Sequence, residues 1–308
     1  MGPDPRSSLA APMTSPDPVA RYYDGNTGRF LRFGRVRGSA AIHRALWAPG
    51  VVDARGAGNW INRWLAESLA LHGSPRPRTL LDLGCGVGGT LLHMAEHLPG
   101  AELHGVTISP RQVEMGRELV RSRGAEDRVR IHQGDFNALE LGLRFEAAVA
   151  VESFVHAETP ARFLQTARDH LAPGGLLVVV DDFLARSEDE LSPGDQRRIR
   201  DFRRGWRLPS LCTVARLEAE AIGLGLEPLS GFDFTHWTRP GRPRDRVIAL
   251  VAPVSRALGL ADVPFFGNMI GGNALQQGMR RGVLRYRGLV LRRSEDGPSR
   301  HVPGAPAH

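Results

Sequence analysis

Four glycines within six positions follow an apolar run that ends in an acid: residues 80–90 read LLDLGCGVGGT. Gly84, Gly86 and Gly89 fit the G-x-G-x-x-G spacing of a dinucleotide-binding loop, with Gly88 between them. Glycine lets a backbone come close to a ligand, and a helix opening from such a loop offers unpaired N–H groups to it. Asp82, two residues before the first glycine, is placed to orient the loop and meet a ligand's amino group. An NAD site would also want a carboxylate at the end of the following strand, to hold the ribose hydroxyls. That strand ends in Val106-Thr107-Ile108 and has none, which weakens the NAD reading.

The elements that position this loop alternate. TLLDL is a short buried strand and GTLLHMAEHL a helix; AELHGVTI is a second strand. Ser109 and Pro110 form an N-cap and first-turn pair for the helix RQVEMGRELVRSRG. RVRIHQGDF and FEAAVAVES read as the third and fourth strands, Thr159-Pro160 opens another helix, and LLVVVDDF is the fifth strand. Strands and helices at this spacing mean right-handed βαβ units and a mainly parallel sheet. After Phe183 the alternation pauses for a helical cap at about 184–210, in which Ile199, Phe202 and Trp206 share one side. A helix and strand follow, and GVLRYRGLVLRR is expected to be the last strand. The intervening FFGNMIGGNALQQGMRRG is expected to be a turn before it. Upstream, a helix is expected from about Asn59 to Leu71, with Ile61, Trp64, Leu65 and Leu69 on its apolar face and Gly73 as its stop.

Composition narrows the options. The 308 residues are 42% hydrophobic, ordinary for a globular protein with a sizeable core. The formal charge is +7, yet all forty basic residues are arginine and they are spread along the chain, dense only at Arg197, Arg198, Arg200, Arg203 and Arg204. A nucleic-acid partner would leave a basic stripe interleaved with aromatics, so none is expected. Cys85 and Cys212 suggest neither a disulfide framework nor a metal pair, and a reducing cytoplasm fits. No run reaches membrane-spanning length, so no membrane insertion is expected. Residues 1–18 and 294–308 read as disordered tails, 19–74 as an N-terminal helical lid and 75–293 as the ligand-binding domain. An N-terminal segment of this kind can swap between subunits, so a homo-oligomer is compatible with the sequence.

Taken together, LDLGCGVGG, GVTISPRQVEMG, GDF, AVESFVHAETPARFLQTARDHLAPGG and LLVVVDDF resemble a class I S-adenosylmethionine-dependent methyltransferase, over about Thr79 to Asp182. GVTISPRQV is similar to the branch of tocopherol and sterol methyltransferases and cyclopropane fatty acid synthases. The resemblance implies a Rossmann-like α/β fold, a seven-stranded sheet with helices on both faces, and S-adenosyl-L-methionine as cofactor. It places Asp82, Gly84, Cys85, Gly86 and Gly88 around the methionine end, with Thr107, Ile108 and Gln112 on the ribose and methionine side. Asp135 would accept from the adenine amino group, with Phe136 at the ring edge. VARYYDGNTGRFLRFG further resembles the start of bacterial prenyl diphosphate C-methyltransferases, which implies active-site roles for Tyr22, with Tyr23 adjacent, and for Glu152.

Methyl transfer from a sulfonium is an in-line displacement in which positioning and exclusion of water supply much of the rate. A carbon nucleophile adds a demand: attack by an alkene leaves a carbocation, which calls for aromatic faces and a carboxylate to remove a proton. Glu152 follows an apolar strand and is expected at the carboxyl end of the sheet, where ligands bind in such folds. Phe154, Phe183, Phe202 and Trp206 are available to line the cavity, and His156 to orient the base. Plainer readings stand beside these: Glu152 as a cap, His156 as a structural group, and the cap aromatics as core. The expected activity is therefore methylation of a hydrophobic small molecule in specialised metabolism, on a prenyl carbon first and on oxygen or nitrogen next. A non-catalytic S-adenosylmethionine-binding regulator and an NAD oxidoreductase are further alternatives.

Overall fold

The computed structural model describes residues 43–73, 75–239 and 243–295. Tyr22 and Tyr23 lie outside the described residues. Seven strands form one sheet in the order β3-β2-β1-β4-β5-β7-β6. They are β1 (Thr79–Leu83), β2 (Glu102–Thr107), β3 (Val129–Gln133), β4 (Phe145–Val151), β5 (Leu171–Leu184), β6 (Leu226–Asp233) and β7 (Leu284–Arg293). The first five pair in parallel, and β7 runs antiparallel between β5 and β6. Leu80, Leu81, Val149, Val178, Val179 and Val180 have no exposed surface. Their neighbours on both sides are apolar, as parallel strands covered by helices require.

Helix α1 (Ala54–His72) buries Ala57, Ile61, Leu65 and Leu69. It starts five residues before the expected Asn59, because the Asp53 carboxylate accepts the Gly56 N–H at 2.6 Å and caps an extra turn. Its end is as expected: the Gly73 N–H bonds the Leu69 carbonyl. Helices α2 (Gly89–His97), α3 (Pro110–Ser122) and α4 (Pro160–His170) link the parallel strands. Ser109 caps α3 and Thr159 caps α4, each with proline in the first turn.

Beyond β5 the chain builds α5 (Pro193–Trp206), α6 (Val214–Gly223), and then, between β6 and β7, α7 (Pro243–Ala257) and α8 (Pro264–Arg280). The stretch expected to be a turn before β7 is thus a seventeen-residue helix. Its glycines mislead a local reading because they serve packing. A side chain on Gly271 would meet the Trp206 ring at 2.6 Å, and one on Gly205 would run into the backbone of Gly267 and Gly271. Small residues at 205, 267 and 271 let α5 and α8 approach closely, and polar bonds lock the pair. Arg198 Nε donates to Gln277 Oε1 at 2.9 Å, and Arg281 Nε to Asp195 Oδ1 at 2.7 Å. The helical layer at the carboxyl edge of the sheet therefore comes from two insertions, not from the segment after β5 alone.

Candidate active site

The glycine loop leaves β1 through three left-handed residues, Gly84 (φ 97), Gly86 (φ 56) and Gly88 (φ 82). The Gly84 and Cys85 N–H groups both donate to the Val106 carbonyl, which ties the loop to β2. A Cβ on Gly84 would collide with Ser153, whose hydroxyl donates to the Leu83 carbonyl at 2.5 Å. Cys85 packs against Gly105, and burial pushes its thiol well above the ordinary range, so it is an inert packing group. Asp82 is 2% exposed, and none of the described residues donates a hydrogen bond to it. Burial raises its pKa to about 7. A buried carboxylate of this kind is costly unless a ligand supplies the missing donor.

At the end of β2 the Thr107 hydroxyl donates to Gln112 Oε1 at 2.6 Å, and both side chains are buried. Ile108 follows, half-buried, and Ser109 caps α3. After β3, Asp135 Oδ1 accepts the Asn137 N–H and side-chain amide, both at 2.8 Å, and so holds a short turn. Phe136 begins that turn and stands edge-on to Phe163 at 5.9 Å. These groups, with the glycine loop, line the carboxyl ends of β1, β2 and β3, where one elongated nucleoside ligand can span them.

Glu152 leaves β4 in the left-handed region, φ 52, which a residue with a Cβ rarely adopts. Its Oε1 accepts the Arg44 N–H at 2.8 Å and the Tyr286 hydroxyl at 2.7 Å. No described residue bonds its other oxygen. The Arg44 guanidinium grips Asp182 with two bonds of 2.8 and 2.9 Å, and lies 4.3 Å above the Tyr286 ring. Burial opposes the charge on Arg44, but Asp182 more than offsets it, so its pKa rises. Burial, and then Glu152, push the Tyr286 phenol well up, so it stays a donor. Burial raises Asp182 as well, opposed by Arg44. His43 Nε2 lies 3.2 Å from Asn62 Oδ1, which also accepts the Thr90 hydroxyl, and so continues the network to α2.

The expected substrate wall is distributed differently. Phe154 packs on Phe163 at 5.2 Å and stacks on Phe183 at 5.7 Å, and all three are fully buried. Side chains alternate along a strand, so Phe183 faces away from Asp182 and the Glu152 cluster. Phe154 and Phe183 are therefore core residues. Phe202 is likewise buried, 5.3 Å from the half-buried Trp206, whose Nε1 donates to the Asn268 carbonyl. The Nδ1 of His156 is 3.1 Å from the Arg207 carbonyl, and burial lowers its pKa to about 4, so the ring is neutral at physiological pH. Arg44, Asp182 and Tyr286 escape a reading of the sequence. The one available signal is Asp182 itself, an acid in an otherwise apolar strand, which demands a partner from elsewhere in the chain.

A mainly parallel seven-stranded sheet with a glycine loop, an acid beneath it that no described residue partners and a pinned carboxylate beside it makes a Rossmann-like ligand-binding site. Residues 81–177 match the family model described as a methyltransferase domain. The chain is 28% identical over 214 residues to norajmaline N-methyltransferase of Rauvolfia serpentina, covering 66% of this chain and 72% of that one. It is 29% identical over 202 residues to 27-O-demethylrifamycin SV methyltransferase of Amycolatopsis mediterranei (strain S699), covering 65% and 71%. The fold superposes with a TM-score of 0.63 and 18% identity on geranyl diphosphate C-methyltransferase from Streptomyces coelicolor A3(2), solved with Mg2+, geranyl diphosphate and S-adenosyl-L-homocysteine. That superposition covers 92% of this chain and the whole of the other. Domain match, relatives and fold together make this an S-adenosylmethionine-dependent methyltransferase of Rossmann-like class I fold, with S-adenosyl-L-methionine as its methyl donor. The NAD alternative is set aside with it.

Proposed function

We propose that this enzyme methylates a hydrophobic small molecule on a carbon of a prenyl or terpenoid group, with Glu152 as the base. The observation that carries the reading is the Glu152 carboxylate, strained at the end of β4 and held through one oxygen by Arg44 and Tyr286. Two fixed donors orient the carboxylate and leave its second oxygen to receive a proton. The donor supplies the methyl group from its sulfonium. Asp82 takes its ammonium, the left-handed glycines admit its methionine end, Thr107 and Gln112 meet the ribose side, and Asp135 with Phe136 receives the adenine. Methylation puts positive charge on the acceptor, and the Glu152 carboxylate, oriented by Arg44 and Tyr286, is placed to offset that charge. Loss of a proton from the adjacent carbon to Glu152 then restores the alkene.

A second reading, transfer to nitrogen or oxygen, is supported by the norajmaline and rifamycin relatives, which act on such atoms. It is also supported by the burial of Phe154 and Phe183, which removes two aromatic faces a carbocation would use. In that reading Glu152 takes the proton of an ammonium or hydroxyl. The test is mass spectrometry after incubation with heavy-methyl donor and a panel of prenyl diphosphates, prenylated aromatics, amines and phenols. A heavy methyl on a prenyl carbon, lost together with turnover in Glu152→Gln, supports the first reading. A heavy methyl only on heteroatoms replaces it with the second. Turnover near wild type in Glu152→Gln removes Glu152 as the base in both.

A further inference from the structure

Helix α2 ends in two histidines with a glutamate between them: residues 93–97 read HMAEH. Four residues apart on a helix, the two imidazoles share one face, and Glu96 stands three residues after the first. This is the separation at which a helix lets two histidines bind one ion. One ligand atom from each of His93, Glu96 and His97 lies within 4.8 Å of the other two. Tetrahedral zinc holds its ligand atoms about 3.4 Å apart, so a closing shift of about 1 Å and a tilt of the His97 ring complete the set. Glu96 and His97 are exposed and can make that shift, and no described residue hydrogen-bonds or ion-pairs with the Glu96 carboxylate.

Three further features suit a cation at this place. His97 Nδ1 lies 2.9 Å from the His93 carbonyl. A carbonyl can accept but not donate, so Nδ1 carries the proton and Nε2 of the neutral ring keeps its lone pair. Outer hydrogen bonds fix metal-binding imidazoles in the same way. His93 Nε2 is a buried atom with no hydrogen-bond partner among the described residues, and the His97 ring stacks on the His93 ring at 4.3 Å. A buried ring nitrogen without a partner is costly, and a metal ion satisfies it. The three residues also belong to the end of α2, where unpaired carbonyls make a helix terminus negative. Arg63 of α1 works the other way, since it lies near enough to His93 to disfavour positive charge there.

We infer that His93, Glu96 and His97 bind a divalent transition-metal ion of the zinc class, with water completing its coordination. Two imidazoles favour a borderline ion, whereas magnesium and calcium take oxygen ligands. Helix α2 opens at the glycine loop and runs for nine residues, about 13 Å, so the ion lies at the end away from the methyl donor. There it staples the last turn of a short helix. The inference is independent of which atom the enzyme methylates.

The test is isothermal titration of the untagged full chain with zinc chloride, repeated with magnesium chloride. One zinc ion per chain is expected, with no binding of magnesium at the same concentrations. At tenfold its dissociation constant, zinc is expected to raise the thermal midpoint by roughly 2 °C. His97→Ala is expected to weaken binding roughly tenfold or more and to remove that shift. Its melting without zinc should match wild type, because His97 is exposed. Glu96→Gln is expected to weaken binding less, since both imidazoles remain. The other histidine pair, His104 and His132 with Nδ1 and Nε2 3.1 Å apart and Glu102 beside them, serves as the control. No zinc binding, or equal binding by both His97→Ala and Glu96→Gln, overturns the inference. So does binding lost in His132→Gln and kept in His97→Ala, or magnesium that displaces zinc at equal concentration.

Discussion

If Asp82 takes the donor's ammonium, as proposed, binding of the donor is a function of pH. Its carboxyl has an ordinary pKa of 3.8, and burial alone lifts it to about 7. The gap of roughly three units corresponds to about 4 kcal/mol at most, at 1.36 kcal/mol per unit. An ammonium placed against Asp82 restores the ionised form, so below pH 7 binding must release a proton. The dissociation constant for S-adenosylmethionine should therefore fall about tenfold for each pH unit gained up to about 7, then level off. Above about 8 the ligand's own amino group loses its proton and binding weakens again. Cys85, whose thiol Asp82 also pushes up, stays a neutral thiol throughout. Isothermal titration calorimetry between pH 5.5 and 8.5 in buffers of different ionisation enthalpy reads both the slope and the proton released. Asp82→Asn should bind more weakly at pH 8 and show no slope below 7. An unchanged slope in that variant, or a flat wild type, refutes the assignment. In the absence of donor the sign is opposite. Between about pH 4 and 7 the folded protein holds the proton that the unfolded chain has lost, so this group's contribution to stability declines as pH rises through that window.

Tyr286→Phe removes one of the two donors that hold Glu152, a hydrogen bond to a charged acceptor worth roughly 1.5–3 kcal/mol. Turnover should fall about ten- to a hundredfold with donor affinity unchanged; equal losses in both would mark a folding defect instead. Asp182→Asn leaves Arg44 facing a neutral amide across a largely buried contact, and chemical denaturation should show a loss of about 2 kcal/mol, discounted because Arg44 keeps 19% side-chain exposure. Gly205→Ala should cost about 1–3 kcal/mol by forcing α5 off α8, read as a lower thermal midpoint, while Gly223→Ala, with nothing around it, should cost nothing.

Local signals in the sequence reach the parallel half of the sheet with little loss. Each β–α unit there carries its own evidence: Ser109-Pro110 and Thr159-Pro160 cap α3 and α4, and the glycines mark where β1 ends. The α5–α8 pair is different, because its logic lies between segments. Gly267 and Gly271 read as helix breakers until Gly205 and Trp206, some sixty residues earlier, are seen to need the space. The cluster around Glu152 divides in the same way. Glu152 is legible because it ends a strand, while its holders Arg44 and Tyr286 lie 108 and 134 residues away and carry no spacing rule. The aromatic expectation failed at Phe183 by one position along β5, since a single step in a strand exchanges one face of the sheet for the other.

The insertion of β7 between β5 and β6 also dictates an order of events during synthesis. Strands β2 to β5 can pair as each emerges from the ribosome, since every one of them has a neighbour already made. Strand β6 has none: its only partner among the described residues is β7, whose first residue follows the last of β6 by fifty-one positions. It must wait, with an unpaired edge, until nearly the whole described chain has been translated. Tyr286 arrives on that same strand, so the nascent enzyme acquires its nucleotide-shaped cleft early and its oriented carboxylate only with the closing strand. Folding intermediates should therefore capture the methyl donor well before they can use it.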